Sequence, residues 1–314
     1  MEKFSFCIPC YRSQNTISIV INEIQSMFSK SNIKYDYEII CAVDGSPDNV
    51  FQVLSELAKY NKKIKVINFS KNFGQASAQI ATFRYVEGDY IVCLDDDGQC
   101  PLDKLWDLFE PIKNGKDVSF AKYPSKTQSA FKNFGSKINK LMMKSMLDVP
   151  KNFESSNFFI MKRFIVDEIK KYSNPYPYLE GLLSQNTKNY GFVEIDERER
   201  ISGSTGYTFS KLISLWLNGL TNFSIKPLRI SSLIGIFCAI IGFCFGVFTI
   251  VRKLLYFNSI DVGWSSIVSI MLFIGGLIML MLGMIGEYIG RIYISINNTP
   301  QYVIKEVINI NEDK

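Results

Sequence analysis

The residues best suited to chemistry are the acidic ones in Asp95-Asp96-Asp97-Gly98-Gln99, which follow a short apolar run at residues 90–94. That run has the length and composition of a buried strand. Adjacent carboxylates at the end of a strand repel one another unless a cation lies among them. An Asp-x-Asp pair in this position favours a hard divalent ion, Mg²⁺ or Mn²⁺, that also binds phosphate oxygens. We therefore predict that Asp95 and Asp97 bind a metal.

Three other polar segments follow strand-like runs and could bind the rest of a phosphate-containing ligand. The first contains Pro9, which stiffens a turn, and Tyr11, which could face a base. The second begins at Asp44, an acceptor for a nucleobase N–H or a ribose hydroxyl, although an isolated Asp-Gly-Ser is more often an ordinary turn. In the third, Lys71-Asn72-Phe73-Gly74 opens a helix and lets the backbone approach a diphosphate. The presence of all these loops in one chain is more specific evidence of a site for such a ligand than any single loop.

Strand patterns and helix patterns alternate along roughly the first 120 residues, and these elements position the loops. Strand patterns at 4–9, 37–43, 64–69 and 90–94 are separated by helix patterns at 16–29, 49–60 and 74–86. Such alternation predicts an α/β fold with a mostly parallel sheet covered by helices. Ligands of such sheets bind beyond the carboxyl ends of the strands, where Asp44 and Asp95 both fall.

Composition excludes several classes of function. The chain has no histidine among its 314 residues, which removes His-ligated zinc and Ser-His-Asp triads. The net charge is +5, and the basic residues form no dense stripe, so we expect no nucleic-acid partner. Cys7 and Cys10 have the spacing of a redox motif but end a strand, which favours free thiols in a reducing compartment. Because Met1-Glu2-Lys3 leads into a strand-like run and not into a long apolar segment, we expect no signal peptide.

The C-terminal third contains two long uncharged segments, residues 233–251 and 262–286. Each is long enough to cross a hydrocarbon core of about 30 Å, although a buried helix pair in a soluble domain is the alternative. The basic residues that flank the pair on its outer sides outnumber Arg252 and Lys253 of the connecting loop. They are Lys211, Lys226, Arg229, Arg291 and Lys305. This excess predicts a hairpin in the cytoplasmic membrane with both termini in the cytoplasm, and an amphipathic helix at 208–220 is predicted to lie in the interface.

Taken together, these motifs resemble those of the family-2 glycosyltransferases, which have the GT-A nucleotide-sugar fold. More narrowly, the chain resembles the polyprenyl-phosphate glycosyltransferases, relatives of dolichyl-phosphate mannose synthase. The resemblance covers nearly the whole chain and also rests on three later motifs. These are Arg200-Ile201-Ser202-Gly203-Ser204-Thr205-Gly206-Tyr207, Lys226-Pro227-Leu228-Arg229 and Gly286-Glu287-Tyr288-Ile289-Gly290-Arg291-Ile292-Tyr293.

The resemblance implies a role for each motif. Nucleotide-sugar binding falls to Pro9, Tyr11, Asp44, Lys71, Asn72, Gly74, Asp95 and Asp96. Asp44 would contact the base, Asp95 the ribose or diphosphate, and Asp97 the metal, with Gln99 beside the sugar or the acceptor. The catalytic residues would be Asp95, Asp97, Gln99 and Arg200. The acceptor phosphate would be held by Lys122, Lys126, Lys132, Lys137, Arg200 and Ser204. For Arg200 an exposed ion-pair strip through residues 197–200 is the alternative.

The chain also departs from the family pattern. Relatives have two acidic residues before Gly-Ser in the second-strand motif, and here the first is Val43. The usual Asp-Ala-Asp-Leu-Gln has become Asp95-Asp96-Asp97-Gly98-Gln99. In the acceptor region, where relatives carry Gly-Asp-Phe-Arg, this chain has Ser155-Ser156-Asn157-Phe158-Phe159. The resemblance therefore says least about the sugar and the acceptor.

The predicted organisation is a cytoplasmic GT-A domain at 1–207, an interfacial helix and linker at 208–230, a transmembrane hairpin at 231–290 and a cytoplasmic tail at 291–314. The resemblance implies inverting, metal-dependent transfer from a nucleotide-sugar, uridine-linked by default, to a polyprenyl phosphate such as undecaprenyl phosphate. Packing of the membrane helices would give a homo-oligomer.

Two alternatives stay open at this point. One is a glycosyltransferase that acts on another lipid-linked or soluble glycan. The other is a membrane scaffold subunit whose transferase domain is catalytically dead. Processive polysaccharide synthases are excluded, because their Gln-x-x-Arg-Trp motif is absent.

Overall fold

A computed structural model describes residues 1–30, 35–123, 153, 155–175, 177–196, 198, 226–255, 263–297 and 299–310. The chain divides into two compact units. The first is Met1–Leu212 together with Asn298–Lys314, and the second is Ile213–Asn297.

The first unit contains an eight-stranded sheet in the order β7-β5-β6-β4-β1-β2-β3-β8, counted over the described residues. The strands are β1 (Lys3–Cys10), β2 (Asp36–Val43), β3 (Ile64–Phe69), β4 (Tyr90–Cys93), β5 (Val118–Lys122), β6 (Phe159–Lys162), β7 (Tyr190–Glu194) and β8 (Ile304–Ile308). Strands β1 to β4 are mutually parallel, β5 and β7 run in the same direction, and β6 and β8 run antiparallel to their neighbours. The prediction of an α/β fold with a mostly parallel sheet is confirmed.

Helices fill the connections between these strands. In the first unit they are α1 (Ile17–Lys30), α2 (Val50–Tyr60), α3 (Gln75–Phe83), α4 (Leu105–Lys113), α5 (Arg163–Ile169) and α6 (Leu179–Asn186). The second unit contains α7 (Lys226–Leu255) and α8 (Trp264–Ile296). The first three helices fall close to their predicted positions, because their apolar residues recur at helical spacing.

The central strand β1 is buried on both faces, which explains its nearly continuous apolar sequence. On one face Phe4 packs against Trp106 and Phe109 of the α4 region, with ring centroids 5.8 and 5.0 Å apart. On the other face lies α3, in which every residue from Ser77 to Phe83 is buried. The strand therefore holds its carboxyl end rigidly at the sheet edge that carries the predicted site.

At the opposite end of the strands, a buried carboxylate ties three elements together. Glu38 of β2 is only 1% exposed and accepts a hydrogen bond of 2.6 Å from the Ser5 hydroxyl. It also pairs with the amino groups of Lys3 at 3.1 Å and Lys65 at 2.8 Å. Because these cations satisfy the carboxylate, its burial does not leave an unpaired charge.

The C-terminal segment, predicted as a tail at 291–314, contains the end of a helix and a strand. Helix α8 continues to Ile296, and Ile304–Ile308 then adds to the sheet as β8, antiparallel to β3. The physical reason is that β3 would otherwise be an open edge, and a β-branched segment pairs readily with such an edge. The end of the chain is thus part of the first unit.

The second unit consists of two long helices in the part of the chain that the structure describes. Gly235 of α7 lies against α8, where an added Cβ would be 3.0 Å from the Met281 methyl carbon. Close packing at this glycine therefore occurs within the chain. By length and composition one described stretch, Phe273–Ile296, is apolar enough to span a membrane. The predicted hairpin, with two spans, is thus supported for one helix only, although 233–251 lies wholly within α7.

Candidate active site

The predicted donor-binding residues lie at the carboxyl ends of the parallel strands, which form one edge of the sheet. Strands β1, β2 and β3 end in register, since Cys10 pairs with Val43 and Val43 with Asn68. Parallel neighbours carry their carboxyl ends to the same edge, so the loops beginning at Tyr11, Asp44 and Ser70 leave the sheet together. Strand β4 ends beside β1 and leads into the acidic motif. The structure therefore brings the predicted loops to one place.

The Asp95 carboxylate is held by two amide side chains from different elements. Gln75, the first residue of α3, donates from Nε2 to Asp95 Oδ1 at 2.8 Å. Asn157, which precedes β6, donates from Nδ2 to Asp95 Oδ2 at 2.7 Å. The second contact follows from the register, because Cys93 pairs with Phe159 in the antiparallel β4–β6 ladder. The residues just before Phe159 therefore lie opposite those just after Cys93, which places Asn157 beside Asp95. The two amides together fix the orientation of the carboxylate.

The other two carboxylates of the motif have different surroundings. Asp96 Oδ2 accepts the backbone N–H of Tyr11 at 2.9 Å, which links the acidic motif to the end of β1. Burial raises the pKa of Asp96 to about 6, and the negative charge of Asp97 contributes in the same direction. Asp97 Oδ1 accepts the backbone N–H of Gln99 at 3.1 Å across a turn in which Gly98 has φ of 77°. Asp96 therefore fixes the acidic motif to the end of β1, whereas Asp97 lies in the turn that follows.

Asp44 organises the loop after β3. Its Oδ1 accepts the N–H of Phe73 at 2.6 Å and its Oδ2 accepts the N–H of Gly74 at 2.9 Å. Its carbonyl oxygen accepts Asn72 Nδ2 at 3.1 Å. The side chain is buried, which raises its pKa, while the two N–H donors lower the pKa without cancelling the effect of burial. Both carboxylate oxygens thus bind the chain itself, and contact with a nucleobase stays a prediction.

The glycine after Asp44 is required by close approach of the two loops. Gly45 has φ of +55°, and a Cβ at this position would lie 2.2 Å from the carbonyl carbon of Lys71. Any larger residue would push the β2 loop away from the β3 loop. The pairing of Asp44 with Phe73 and Gly74 therefore depends on this glycine.

The loop after β1 is joined to the loop after β2 by polar contacts. Arg12, with φ of 57°, donates its N–H to Ser46 Oγ at 2.8 Å, and Ser46 donates to Asp48 Oδ1 at 2.6 Å. Tyr11 is 44% exposed, so its ring is available to a ligand. Pro9 is buried within β1, which gives it a structural position in the strand rather than an exposed one.

Gln99 is joined to the segment that leads to the predicted acceptor residues. The N–H of Arg198 donates to the Gln99 carbonyl at 3.2 Å, and Gln99 Nε2 donates to the Arg198 carbonyl at 3.3 Å. The Arg198 guanidinium is anchored by Glu23 at 2.8 Å and also pairs with Asp103. This arrangement fits the ion-pair interpretation of residues 197–200 for Arg198, whereas Arg200 lies outside the described residues.

Of the lysines predicted to hold the acceptor phosphate, the described residues include Lys122. Lys122 lies at the end of β5 and pairs with Glu194 of β7 at 2.8 Å. Strand β5 is two strands from β4, so Lys122 lies roughly 10 Å along the same edge from the acidic motif. Lys126, Lys132, Lys137 and Ser204 lie outside the described residues, as does the interfacial helix predicted at 208–220.

The predicted metal ligands are the carboxylates of Asp95 and Asp97. Among the described residues, no three or more acidic or cysteine side chains cluster as a metal site. Mg²⁺ and Mn²⁺, however, are commonly held by one or two carboxylates together with the phosphates of a substrate. The chemistry of Asp95 and Asp97 fits that kind of shared site.

Comparison of the sequence with known families decides the class. Residues 5–170 match the profile of glycosyl transferase family 2, and residues 226–292 match that of the GtrB C-terminal hairpin. The chain belongs to glycosyl transferase family 2. The predicted resemblance to polyprenyl-phosphate glycosyltransferases is confirmed, and the protein is a glycosyltransferase.

Relatives of this glycosyltransferase match it over almost its full length. The uncharacterised glycosyltransferase YkcC of Bacillus subtilis is 31% identical, over 99% of this chain and 96% of its own. The bactoprenol glucosyl transferase of Shigella phage SfII is 30% identical, over 97% of this chain and 98% of its own.

A solved structure shares the fold of this glycosyltransferase. Glucosyl-3-phosphoglycerate synthase from Mycobacterium tuberculosis, in complex with Mg²⁺ and uridine diphosphate, superposes with a TM-score of 0.52. The alignment covers 71% of this chain and 79% of that chain at 14% identity. At this identity the likeness establishes a GT-A-like fold and nothing finer.

Three residues of the site were missed by sequence reasoning. Gln75 falls inside the helix predicted at 74–86 and Asn157 in a segment that departs from the family pattern, and neither position indicates a role in the site. Arg198 was read as part of a charged strip. Asn157 could have been placed beside Asp95 had β6 been recognised as antiparallel, but its sequence has no turn signal that shows the direction.

Proposed function

We propose that this glycosyltransferase moves a sugar from a uridine-linked nucleotide-sugar to a polyprenyl phosphate, such as undecaprenyl phosphate, at the surface of the cytoplasmic membrane. The observation that carries the proposal is the hydrogen bonding of Asp95 and Asp96. These two carboxylates join the loop after β4 to the loop after β1, to the start of α3 and to the segment before β6. Full-length similarity to a bactoprenol glucosyl transferase supports the choice of a polyprenyl acceptor.

The donor would bind across the ends of β1, β2 and β3. Tyr11 offers an exposed ring for the base, and Lys71, also exposed, offers a cation for the diphosphate. Asp44 would act by holding the backbone at Phe73 and Gly74 in the shape that the donor requires. A uridine donor agrees with the ligand of the structural neighbour, a protein that shares only the fold.

A divalent ion, Mg²⁺ or Mn²⁺, would be held by Asp95 and Asp97 together with oxygens of the diphosphate. When bound, it would neutralise charge on the nucleoside diphosphate leaving group. The amides of Gln75 and Asn157 each donate to one Asp95 oxygen, and together they fix the orientation of the carboxylate. Preorientation of a carboxylate by neighbouring hydrogen bonds is typical of metal sites.

The acceptor chemistry suits a chain that has no histidine. A phosphate monoester has a second pKa near 6 and is largely dianionic at neutral pH, so its oxygen attacks without a strong general base. The new bond joins this oxygen to C1 of the sugar, and the bond from C1 to the diphosphate oxygen breaks, with inversion at C1. The dianion needs cations, for which Lys122 and Arg200, with the lysines at 126, 132 and 137, are proposed.

The second unit would anchor the enzyme to the bilayer that holds the acceptor. Its helices expose large apolar side chains such as Phe237 of α7 and Met279 of α8, 65% and 72% exposed. Strand β8 belongs to the same sheet as β1. In a membrane-anchored enzyme, the chain before α7 and the chain after α8 would therefore lie on the same side of the bilayer. That supports an even number of crossings, as in a two-span hairpin, and the basic flanks favour the cytoplasmic side. We also propose a homo-oligomer.

Release of nucleoside diphosphate from a panel of nucleotide-sugars, with and without undecaprenyl phosphate in detergent, tests this function. We expect one uridine-linked donor to be consumed, with the rate raised by the lipid phosphate. Release that the lipid does not change would retain the donor site and reject the polyprenyl acceptor. No release from any donor by folded protein would contradict the enzyme and favour a scaffold.

A further inference from the structure

The C-terminal segment 299–310 reaches the loop that is proposed to bind the donor. Strand β8 pairs with β3, and the N–H of Ser70, just after β3, donates to the carbonyl of Val303 at 3.0 Å. The register shifts between Asn68 and Phe69, where the β3 strand gives way to the loop. The segment therefore follows β3 to its carboxyl end.

Tyr302 makes an aromatic contact at this point. Its ring is stacked on Phe69, with centroids 5.0 Å apart and planes 6° from parallel. Phe69 is buried and in turn meets Phe73 edge-on, with centroids 5.8 Å apart and planes at 88°. Arg84 lies over the Tyr302 ring at 5.7 Å from its centroid. Stacked and edge-to-face geometries are the favourable ones for aromatic pairs.

Phe73 connects this stack to the acidic side chain of the site. Its backbone N–H is the donor to Asp44 Oδ1, and its ring lies 5.1 Å from the amino group of Lys71. A continuous series of contacts thus runs from Tyr302 through Phe69 and Phe73 to Asp44. Protecting the edge of β3 would need only backbone pairing by β8. Protection of the edge therefore does not account for the stacked ring of Tyr302.

We propose that Tyr302 is a positioning residue of the donor site, holding Phe69 and through it the Phe73 loop in the shape that accepts a nucleotide diphosphate. This role rests on the proposed function, because it assumes that the donor is a nucleotide-sugar. The last segment of the chain, reached only after both long helices, would then complete the catalytic domain.

The test compares full-length Tyr302→Ala and Tyr302→Phe with the wild type. Donor KM, kcat and the Kd for uridine diphosphate with Mg²⁺ are measured for each. Loss of one aromatic contact predicts a rise of about fivefold in KM and Kd for Tyr302→Ala, with kcat within about twofold of wild type. Tyr302→Phe keeps the ring and should bind like the wild type.

Two further variants separate positioning from general loosening. Asn309 anchors the far end of the segment, donating from Nδ2 to the carbonyls of Ala58 and Ile64 at 2.8 Å each. Asn309→Ala should lower the melting temperature without the rise in KM. Tyr60, 89% exposed on α2, provides an aromatic control as Tyr60→Ala.

An unchanged KM in Tyr302→Ala, or an equal rise in Asn309→Ala, would overturn the role of Tyr302. Hydrogen exchange of the amides at residues 71–76 gives a readout that needs no donor. It should be faster in Tyr302→Ala than in Tyr60→Ala, and equal exchange would also overturn the role. If the wild type binds no uridine diphosphate, the donor assignment fails, and exchange alone decides whether Tyr302 positions the loop.

Discussion

Gln99 and Arg198 share two hydrogen bonds across a separation of 99 residues in the sequence. The backbone N–H of Arg198 donates to the Gln99 carbonyl, and the Gln99 amide donates to the Arg198 carbonyl. Because the Arg198 side chain is fixed by Glu23, its backbone provides a firm support for Gln99. The chain that continues toward Arg200 starts from this support.

Substitution of Arg198 should therefore reduce transfer more than donor binding. We expect Arg198→Ala to lower kcat roughly 10- to 100-fold with donor KM little changed, since small misplacements of a reacting group cost rates of this order. Arg198→Lys keeps the charge but loses the planar fork and should recover only part of the rate. Steady-state kinetics with varied donor and fixed lipid phosphate measure the effect.

Arg163 is the matched control for this substitution. It donates from Nη1 to the Gly88 carbonyl at 3.0 Å and pairs with Asp167 at 3.2 Å, at the opposite edge of the sheet. Arg163→Ala should leave kcat near that of the wild type. An equal loss in the two variants would show that Arg198 acts only through overall stability.

Asp44 should affect both stability and donor affinity. In Asp44→Asn, the new amide NH₂ would oppose the N–H of Phe73 or of Gly74 and leave it unsatisfied. The expected cost is about 1–3 kcal/mol in the free energy of unfolding, together with a higher donor KM. Urea denaturation and donor kinetics measure the two effects.

Asp36→Asn is the control for Asp44→Asn, since Asp36 forms an exposed pair with Lys63. Its effect on unfolding should stay within about 0.5 kcal/mol. If Asp44→Asn behaved like this control, its carboxylate would not organise the loop, and direct contact with the base would be the better interpretation.

The ionic cluster around Glu38 predicts a loss of stability in acid. Burial alone would raise the pKa of Glu38, but bonds from Lys65, Ser5 and the N–H of Glu87 outweigh burial and lower it. For Glu87, bonds from Lys65 and Lys3 outweigh burial and lower the pKa from 4.5 to about 2. A carboxyl whose pKa is lower in the folded state stabilises the protein above its unfolded pKa, and that contribution is lost as the pH falls through the folded pKa.

Unfolding measured by urea between pH 7 and pH 2 tests this expectation. The wild type should lose stability between about pH 4.5 and pH 2, whereas Glu38→Gln should start about 3 kcal/mol lower at pH 7 and lose less on acidification. Parallel curves of unfolding free energy against pH for the two proteins would show that the cluster does not cause the loss of stability in acid.

The sequence predicts the parallel half of the fold well and the antiparallel parts poorly. Residues 4–9, 37–43, 64–69 and 90–94 are read as strands because apolar runs alternate with helical periods, and such units are parallel. Nothing comparable shows the direction of β6, on which the contact between Asn157 and Asp95 depends. Strand β8 was missed because a short β-branched segment after a membrane-like helix has no partner visible in the sequence.

The same limit applies to the site. Motif spacing correctly brings Tyr11, Asp44 and Asp95 to one sheet edge, because strand ends are set by local patterns. Whether a carboxylate faces a ligand or the chain's own backbone depends on the neighbouring loop. Asp44 and Asp96 both bind backbone N–H groups in the structure, which their sequence contexts do not show.

The most direct test of the proposed function is the formation of a sugar-labelled lipid. Purified full-length protein is given radiolabelled uridine-linked sugar and undecaprenyl phosphate in detergent, with Mg²⁺ or with EDTA. We expect an organic-soluble product that requires the metal and falls by at least about 100-fold in Asp97→Asn. A lipid product that forms equally in EDTA and in Asp97→Asn would contradict the metal site. Donor consumption without any lipid product would contradict the polyprenyl phosphate acceptor.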